Sequence, residues 1–213
     1  MNMKKQIITL LTVLMAAAVG AQAQSRLEPM TQIEQELWGE KEFGTWLSKK
    51  ASQQMLKFPT PMEDFPSALY VFCGKGESGR LQVKRCVGYK EAGPDVPPAP
   101  ERSEEPKLKL ESIEVKTDRA TALMFSDLIK HAVATCMFND ERLGFDGTIY
   151  FFGNSIRVAT IWSPDSGSNC KRLTDVLEKA MTAVKNQDEE ELKALLPEVE
   201  ALTEVFKKLY PKD

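Results

Sequence analysis

Residues 145–162 read FDGTIYFFGNSIRVATIW, two apolar alternating runs meeting at Gly153-Asn154. That dipeptide is a strong signal for a tight β-hairpin turn, because its residues accept the positive φ that such turns require. A two-residue loop there places Phe151 opposite Ile156, Ile149 opposite Val158 and Phe145 opposite Trp162, which builds one apolar face. On the other face Tyr150 lies opposite Arg157, a pairing suited to a cation–π contact. Tyr150, Phe152, Ala159 and Ile161 make that second face more apolar than a solvated sheet surface should be. Either helices or the N-terminal half cover it, or it is a partner surface anchored by Tyr150 and Arg157, residue types enriched at interaction hot spots.

Helical patterns flank this hairpin. Upstream, Thr117 or Asp118 can cap a helix with Thr121, Met124, Phe125, Leu128, Ile129 and Ala132 on one face. Leu108, Leu110, Ile113 and Val115 suggest a strand before it, with one slip in alternation near Ser112. Downstream, Ser163-Pro164-Asp165-Ser166-Gly167-Ser168 turns the chain into an amphipathic helix striped by Leu173, Val176, Leu177, Ala180, Met181 and Val184. A last helical segment spans Asp188 to Leu209, restarted or kinked at Pro197.

The earlier part of the chain opens on a capping box, Thr31-Gln32-Ile33-Glu34. Phe43, Trp46, Leu47, Ala51 and Met55 then recur at helical spacing, and the proline-rich stretch 58–66 reads as a turn. Leu69 to Cys73, the glycine-rich stretch 74–79 and the alternating run from Leu81 to Tyr89 predict a second hairpin with a flexible tip. Between the two parts, residues 91–106 hold five prolines among charged and small residues. Such a stretch cannot bury enough surface to offset its ordering entropy, so it reads as a linker or long loop. The expected organisation is a signal peptide over 1–23, a helix-plus-hairpin region over 24–90, the linker over 91–106 and an α+β region over 107–213. The fold class that follows is α+β, an antiparallel sheet built from β-hairpins and covered by amphipathic helices. The two parts resemble each other as helix-then-hairpin units, which suggests a diverged duplication.

Lys4 and Lys5, the apolar run from Ile7 to Val19 and the small residues Ala21 and Ala23 have the layout of a secretory signal cleaved after Ala23. The apolar run is short for a membrane span, so a periplasmic or secreted protein without a stable membrane anchor is expected. Taking Lys4 and Lys5 from 28 basic side chains against 31 acidic ones leaves a net charge near −5. That balance argues against nucleic acid as a partner. In an exported chain, the four cysteines at 73, 86, 136 and 170 suggest two disulfides, with three possible connectivities. Cys73 and Cys86 flank the first hairpin's tip, while Cys136 and Cys170 flank the second hairpin, so Cys73–Cys86 and Cys136–Cys170 are the expected pairs.

No motif assigns an activity, a cofactor or a metal. His131 is the sole histidine; it falls at the margin of its helix's apolar stripe, where half-packing explains it better than catalysis. There is no G-x-S-x-G elbow, no Walker sequence and no G-x-G-x-x-G. The Ser163–Ser168 loop leads into a helix N-terminus, where Ser166 and Ser168 can favour an anion, although a serine cap needs the same residues. Asn139, Asp140, Glu141 and Asp146 offer hard oxygens without EF-hand spacing. The sequence points to a non-enzymatic binding, inhibitor or immunity-type module acting on a protein. The competing expectation is an envelope hydrolase using acidic residues with a ligand at the Ser163–Ser168 loop.

Overall fold

A computed structural model describes residues 27–29, 45–59, 65–89, 108–136, 147–154 and 156–209. The expected signal peptide, the Thr31 capping box, the 91–106 linker and the Asn139–Asp146 loop lie outside the described residues. In chain order the elements are β1 (Glu28–Pro29), β2 (Gln53–Phe58), β3 (Ser67–Cys73), β4 (Ser78–Tyr89), β5 (Leu108–Asp118), α1 (Arg119–Ala134), β6 (Ile149–Gly153), β7 (Val158–Trp162), α2 (Asn169–Asn186), α3 (Glu189–Ala194) and α4 (Leu196–Leu209). The strands form one seven-stranded sheet in the order β1-β7-β6-β2-β3-β4-β5, every pairing antiparallel. The expected α+β class is therefore present. Because β5 pairs with β4 and β6 pairs with β2, strands from both sides of residues 91–106 share a single sheet. Among the described residues five strands, β1 to β5, precede α1 and only the β6–β7 pair follows it, an inequality that lends no support to a duplication.

Strand alternation sorts side chains onto two faces. Met55, Leu69, Val71, Leu81, Val83, Tyr150, Phe152 and Ile161 point to the face covered by the helices. There they meet Phe125, Leu128 and Ile129 of α1, the α2 stripe anticipated from the sequence, and Val199, Leu202 and Phe206 of α4. Leu56, Ala68, Tyr70, Cys86 and Phe151 occupy the opposite face with Trp46 and Ala51. Trp46 packs edge-on to Phe58 at 6.1 Å and Phe58 edge-on to Phe151 at 5.6 Å, while the Tyr70 hydroxyl donates to the Trp46 carbonyl at 2.6 Å.

β2 corrects the helical reading of Met55. Helix assignment stops at Trp46, and Met55 sits in a central strand between β3 and β6. A strand buried on both faces loses the polar–apolar alternation that would reveal it, and Gln53 and Gln54 are both buried here. The β6–β7 register also differs from expectation. Ile149 pairs with Trp162, Tyr150 with Ile161 and Phe152 with Ala159, so residues 154–157 form the turn. The Asn154 side-chain Oδ1 accepts from the backbone N–H groups of Ile156 and Arg157 at 2.9 and 3.0 Å, an Asx-type arrangement that favours this longer loop. Gly153, at φ 134°, closes the strand where an added Cβ would lie 2.0 Å from the Arg157 carbonyl oxygen. The partner of each β6 residue moves by four positions, an even number, which leaves every side chain on its expected face.

The helix ends follow local chemistry. Asp118 caps α1, accepting from the Thr121 N–H at 2.8 Å, and Ser168 caps α2, accepting from the Lys171 N–H at 3.0 Å. Gln187 adopts the left-handed conformation after α2, and the Asp188 N–H returns to the Ala183 carbonyl at 2.9 Å, a Schellman-type ending. The break between α3 and α4 at Leu195 matches the fresh helical start expected at Pro197.

The disulfide expectation is overturned, since all four cysteines are free. Cys73 ends β3 opposite Gly79, whereas the Cys86 N–H bonds to the Pro66 carbonyl beyond the other end of β3. Seven residues of strand separate those positions, roughly 20 Å at the rise of a strand, far beyond the reach of a disulfide. They also face opposite ways, Cys73 packing on the helix side and Cys86 on the other. Cys136 follows α1 and takes a long contact from the Arg157 Nη2 at 3.8 Å. Cys170 is buried in the first turn of α2, where burial pushes its thiol up to about 12.

Candidate binding site

Three structural elements end near one another on the helix-covered side. The C-terminal part of α1 brings Lys130 and His131, the last turn of α4 brings Lys207, and the β6–β7 turn brings Arg157. Together with Gln53 from β2 they line a cleft of about 560 Å³, a size suited to a ligand or a short peptide segment. Val133 and Ala134 supply an apolar floor. Part of this clustering is local electrostatics, because free carbonyls at a helix C-terminus favour cations. Two such ends are combined here in a chain whose overall charge is −3.

Two features set the cleft apart from ordinary surface charge. Among the described residues Lys130, His131 and Arg157 form no ion pair, and Lys207 is balanced by Glu204 at 2.7 Å. Gln53 is only 7 % exposed, yet its carboxamide makes no hydrogen bond among the described residues. Among the described residues the fully buried side-chain polar atom without a partner is Gln54 Nε2; the Gln53 carboxamide is not sealed off in that way and opens onto the cleft. His131 has its pKa lowered, first by burial and then by Lys207, with Asp127 and Glu204 opposing. Near neutral pH it therefore adds a polar but uncharged wall.

Two other clefts are less suited to a ligand. A cavity of about 350 Å³ is lined by Lys57, Arg85 and Glu178, but Lys57 pairs with Glu178 at 3.1 Å and Arg85 with Glu111 at 2.7 Å. A shallower one of about 440 Å³ between α2 and the C-terminal helices carries Asp175, Glu178, Glu191 and Glu198 interleaved with Arg172 and Lys179. Its charges are largely satisfied by pairs such as Lys179–Glu198 at 3.0 Å.

Of the residues singled out from sequence, Arg157 joins the cationic cleft, as does His131, which sequence spacing places half-packed at a helix margin. Tyr150 is buried on the helix side, stacked on Phe152 at 6.3 Å, with its hydroxyl donating to Glu178 at 2.6 Å. Burial and that carboxylate push its pKa upward. It is therefore a core residue facing Ile161 across the ladder, not an anchor beside Arg157, and helices cover the apolar strand face as one of the two readings held. Ser168 spends its hydroxyl as the α2 cap, and the Ser168 N–H closes the loop onto the Asp165 carbonyl at 3.0 Å. Ser166 is exposed. Lys171 turns to Asp175 instead of the loop. The Ser163–Ser168 geometry is thus that of a capped strand-to-helix turn.

Sequence reading missed Lys130, Lys207 and Gln53. The available signal was the concentration of basic residues toward two helix C-termini, Lys130-His131 and Lys207-Lys208, in an acidic chain. Among the described residues, no group of three or more His, Cys, Asp or Glu is arranged to hold a metal ion. His131 makes no hydrogen bond to a serine, cysteine or carboxylate there. No described helix is long and apolar enough to cross a membrane. The chain matches no protein-family model, no curated protein and no solved structure.

Proposed function

We propose that this protein is an exported, non-enzymatic binding module of the inhibitor or immunity kind, acting on another protein through the cationic cleft at the ends of α1 and α4. The observation that carries this reading is a pair of cations, Lys130 and Arg157, that form no ion pair among the described residues, around a cleft with an apolar floor. Exposed cations beside apolar surface favour complementary acidic partners and speed their encounter. The signal-like segment ending at Ala23 supports action in the periplasm or outside the cell, after cleavage. Against the hydrolase alternative, the Ser168 hydroxyl and Lys171 are committed to the helix, leaving the loop few free groups for a substrate.

The test is affinity capture by the full chain from the envelope and secreted fractions of the producing cell, beside the Lys130→Glu/Arg157→Glu double variant. A defined protein retained by the wild type and lost by the variant supports the reading. Identical capture by both overturns it. So does hydrolysis of an envelope polymer that a single carboxylate substitution abolishes.

A further inference from the structure

Gln53 and the cations around it specify more than a generic acidic partner. A carboxamide offers a donor and an acceptor side by side, which is the complement of a peptide group. Here the residue is only 7 % exposed, its carboxamide lines the cleft, and it makes no hydrogen bond among the described residues. Arg157 projects a forked donor suited to a carboxylate, and its own contact among the described residues is the distant Cys136 sulfur. Lys130 adds a second charge with no ion pair among the described residues. Val133 and Ala134 present aliphatic surface between these groups.

We infer that the cleft binds an acidic peptide segment: a Glu or Asp carboxylate on Arg157 and Lys130, a backbone peptide group on the Gln53 carboxamide, and a neighbouring aliphatic side chain on Val133 and Ala134. This assignment rests on the binding-module reading and gives its partner a chemistry. A free amphiphilic anion would engage the cations and the floor, but it has no amide to match Gln53. An anionic membrane surface is too flat to reach a buried carboxamide.

The experiment is calorimetric titration of the full chain with a capped hexapeptide alternating leucine and glutamate. The controls are the same peptide with glutamine for glutamate, decanoate, and phosphatidylglycerol vesicles. The glutamate peptide should bind, more weakly as salt rises, and the glutamine peptide should bind at least about tenfold less tightly. Gln53→Leu should weaken the glutamate peptide about fivefold to tenfold while leaving any decanoate binding unchanged. Arg157→Ala, at an exposed turn position where folding is not at stake, should weaken it about tenfold or more. Equal affinity for the two peptides, no effect of Gln53→Leu in a folded variant, or binding of decanoate or vesicles but not peptide would each overturn the inference. If the peptides fail while capture of a protein still depends on Lys130 and Arg157, this inference falls and the binding-module reading stands. If both fail, both fall.

Discussion

Replacing Gly153 with alanine should destabilise the protein and dislodge Arg157. Gly153 holds φ 134° at the end of β6, and its added Cβ would sit 2.0 Å from the Arg157 carbonyl oxygen. The φ strain alone is worth roughly 1–3 kcal/mol. The collision is with backbone, so it can be relieved only by opening the turn. Opening breaks the bond from the Asn154 N–H to the Arg157 carbonyl, 3.0 Å long, at a cost of about 1 kcal/mol. Together these give roughly 2–4 kcal/mol, or a fall in Tm of roughly 5–15 °C for a chain of this size. Gly76→Ala is the matched control, since Gly76 has φ 88° but nothing within 4 Å of its added Cβ. It should lose only the strain, roughly 1 kcal/mol. Urea unfolding followed by tryptophan fluorescence measures both. Equal midpoints for the two variants would refute the collision argument, and with it the position assigned to the Arg157 backbone.

Other expectations follow from the same structure. Protein purified without reductant should contain no Cys73–Cys86 bond, and alkylation near pH 8 should label half-buried Cys73 and Cys136 before buried Cys86 and Cys170; peptide mass spectrometry reads both results. Ser168→Ala removes the α2 cap and should cost about 1 kcal/mol in chemical denaturation, while leaving peptide binding at the cleft unchanged. His131 binds its proton more weakly folded than unfolded, because burial and Lys207 disfavour its charge. Folding therefore loses stability as pH falls below the ordinary histidine value of 6.5. His131→Gln should show a shallower decline in Tm between about pH 7 and pH 5 than the wild type.

Periodicity exposed the parts of this fold that depend on local pattern. The α2 stripe from Leu173 to Val184, the α1 face around Phe125 and Leu128, and the two faces of the β6–β7 pair all follow from spacing alone. Register did not, because a four-position change preserves parity and the Asn154 side chain, not the Gly153-Asn154 dipeptide, sets the turn. β2 was hidden because a central strand carrying two buried glutamines has no alternation to detect. The disulfide expectation failed for a related reason. β4 has twelve residues and β3 seven, so Cys86 overshoots β3 and pairs within β5's reach at Leu110. The cleft brings together residues as distant in sequence as Gln53 and Lys207, which no local pattern encodes. Only its cationic helix ends leave a local signal, which sequence reading missed.

The central claim is that cations from separate elements act on one ligand. A double-mutant cycle with Arg157→Ala and Lys130→Ala, read as affinity for the capped leucine–glutamate peptide, tests it most directly. Both single variants should weaken binding, and the double variant should weaken it by less than their sum, because the two side chains share one carboxylate. Unchanged affinity in either single variant, or losses that add without coupling, would contradict a shared site.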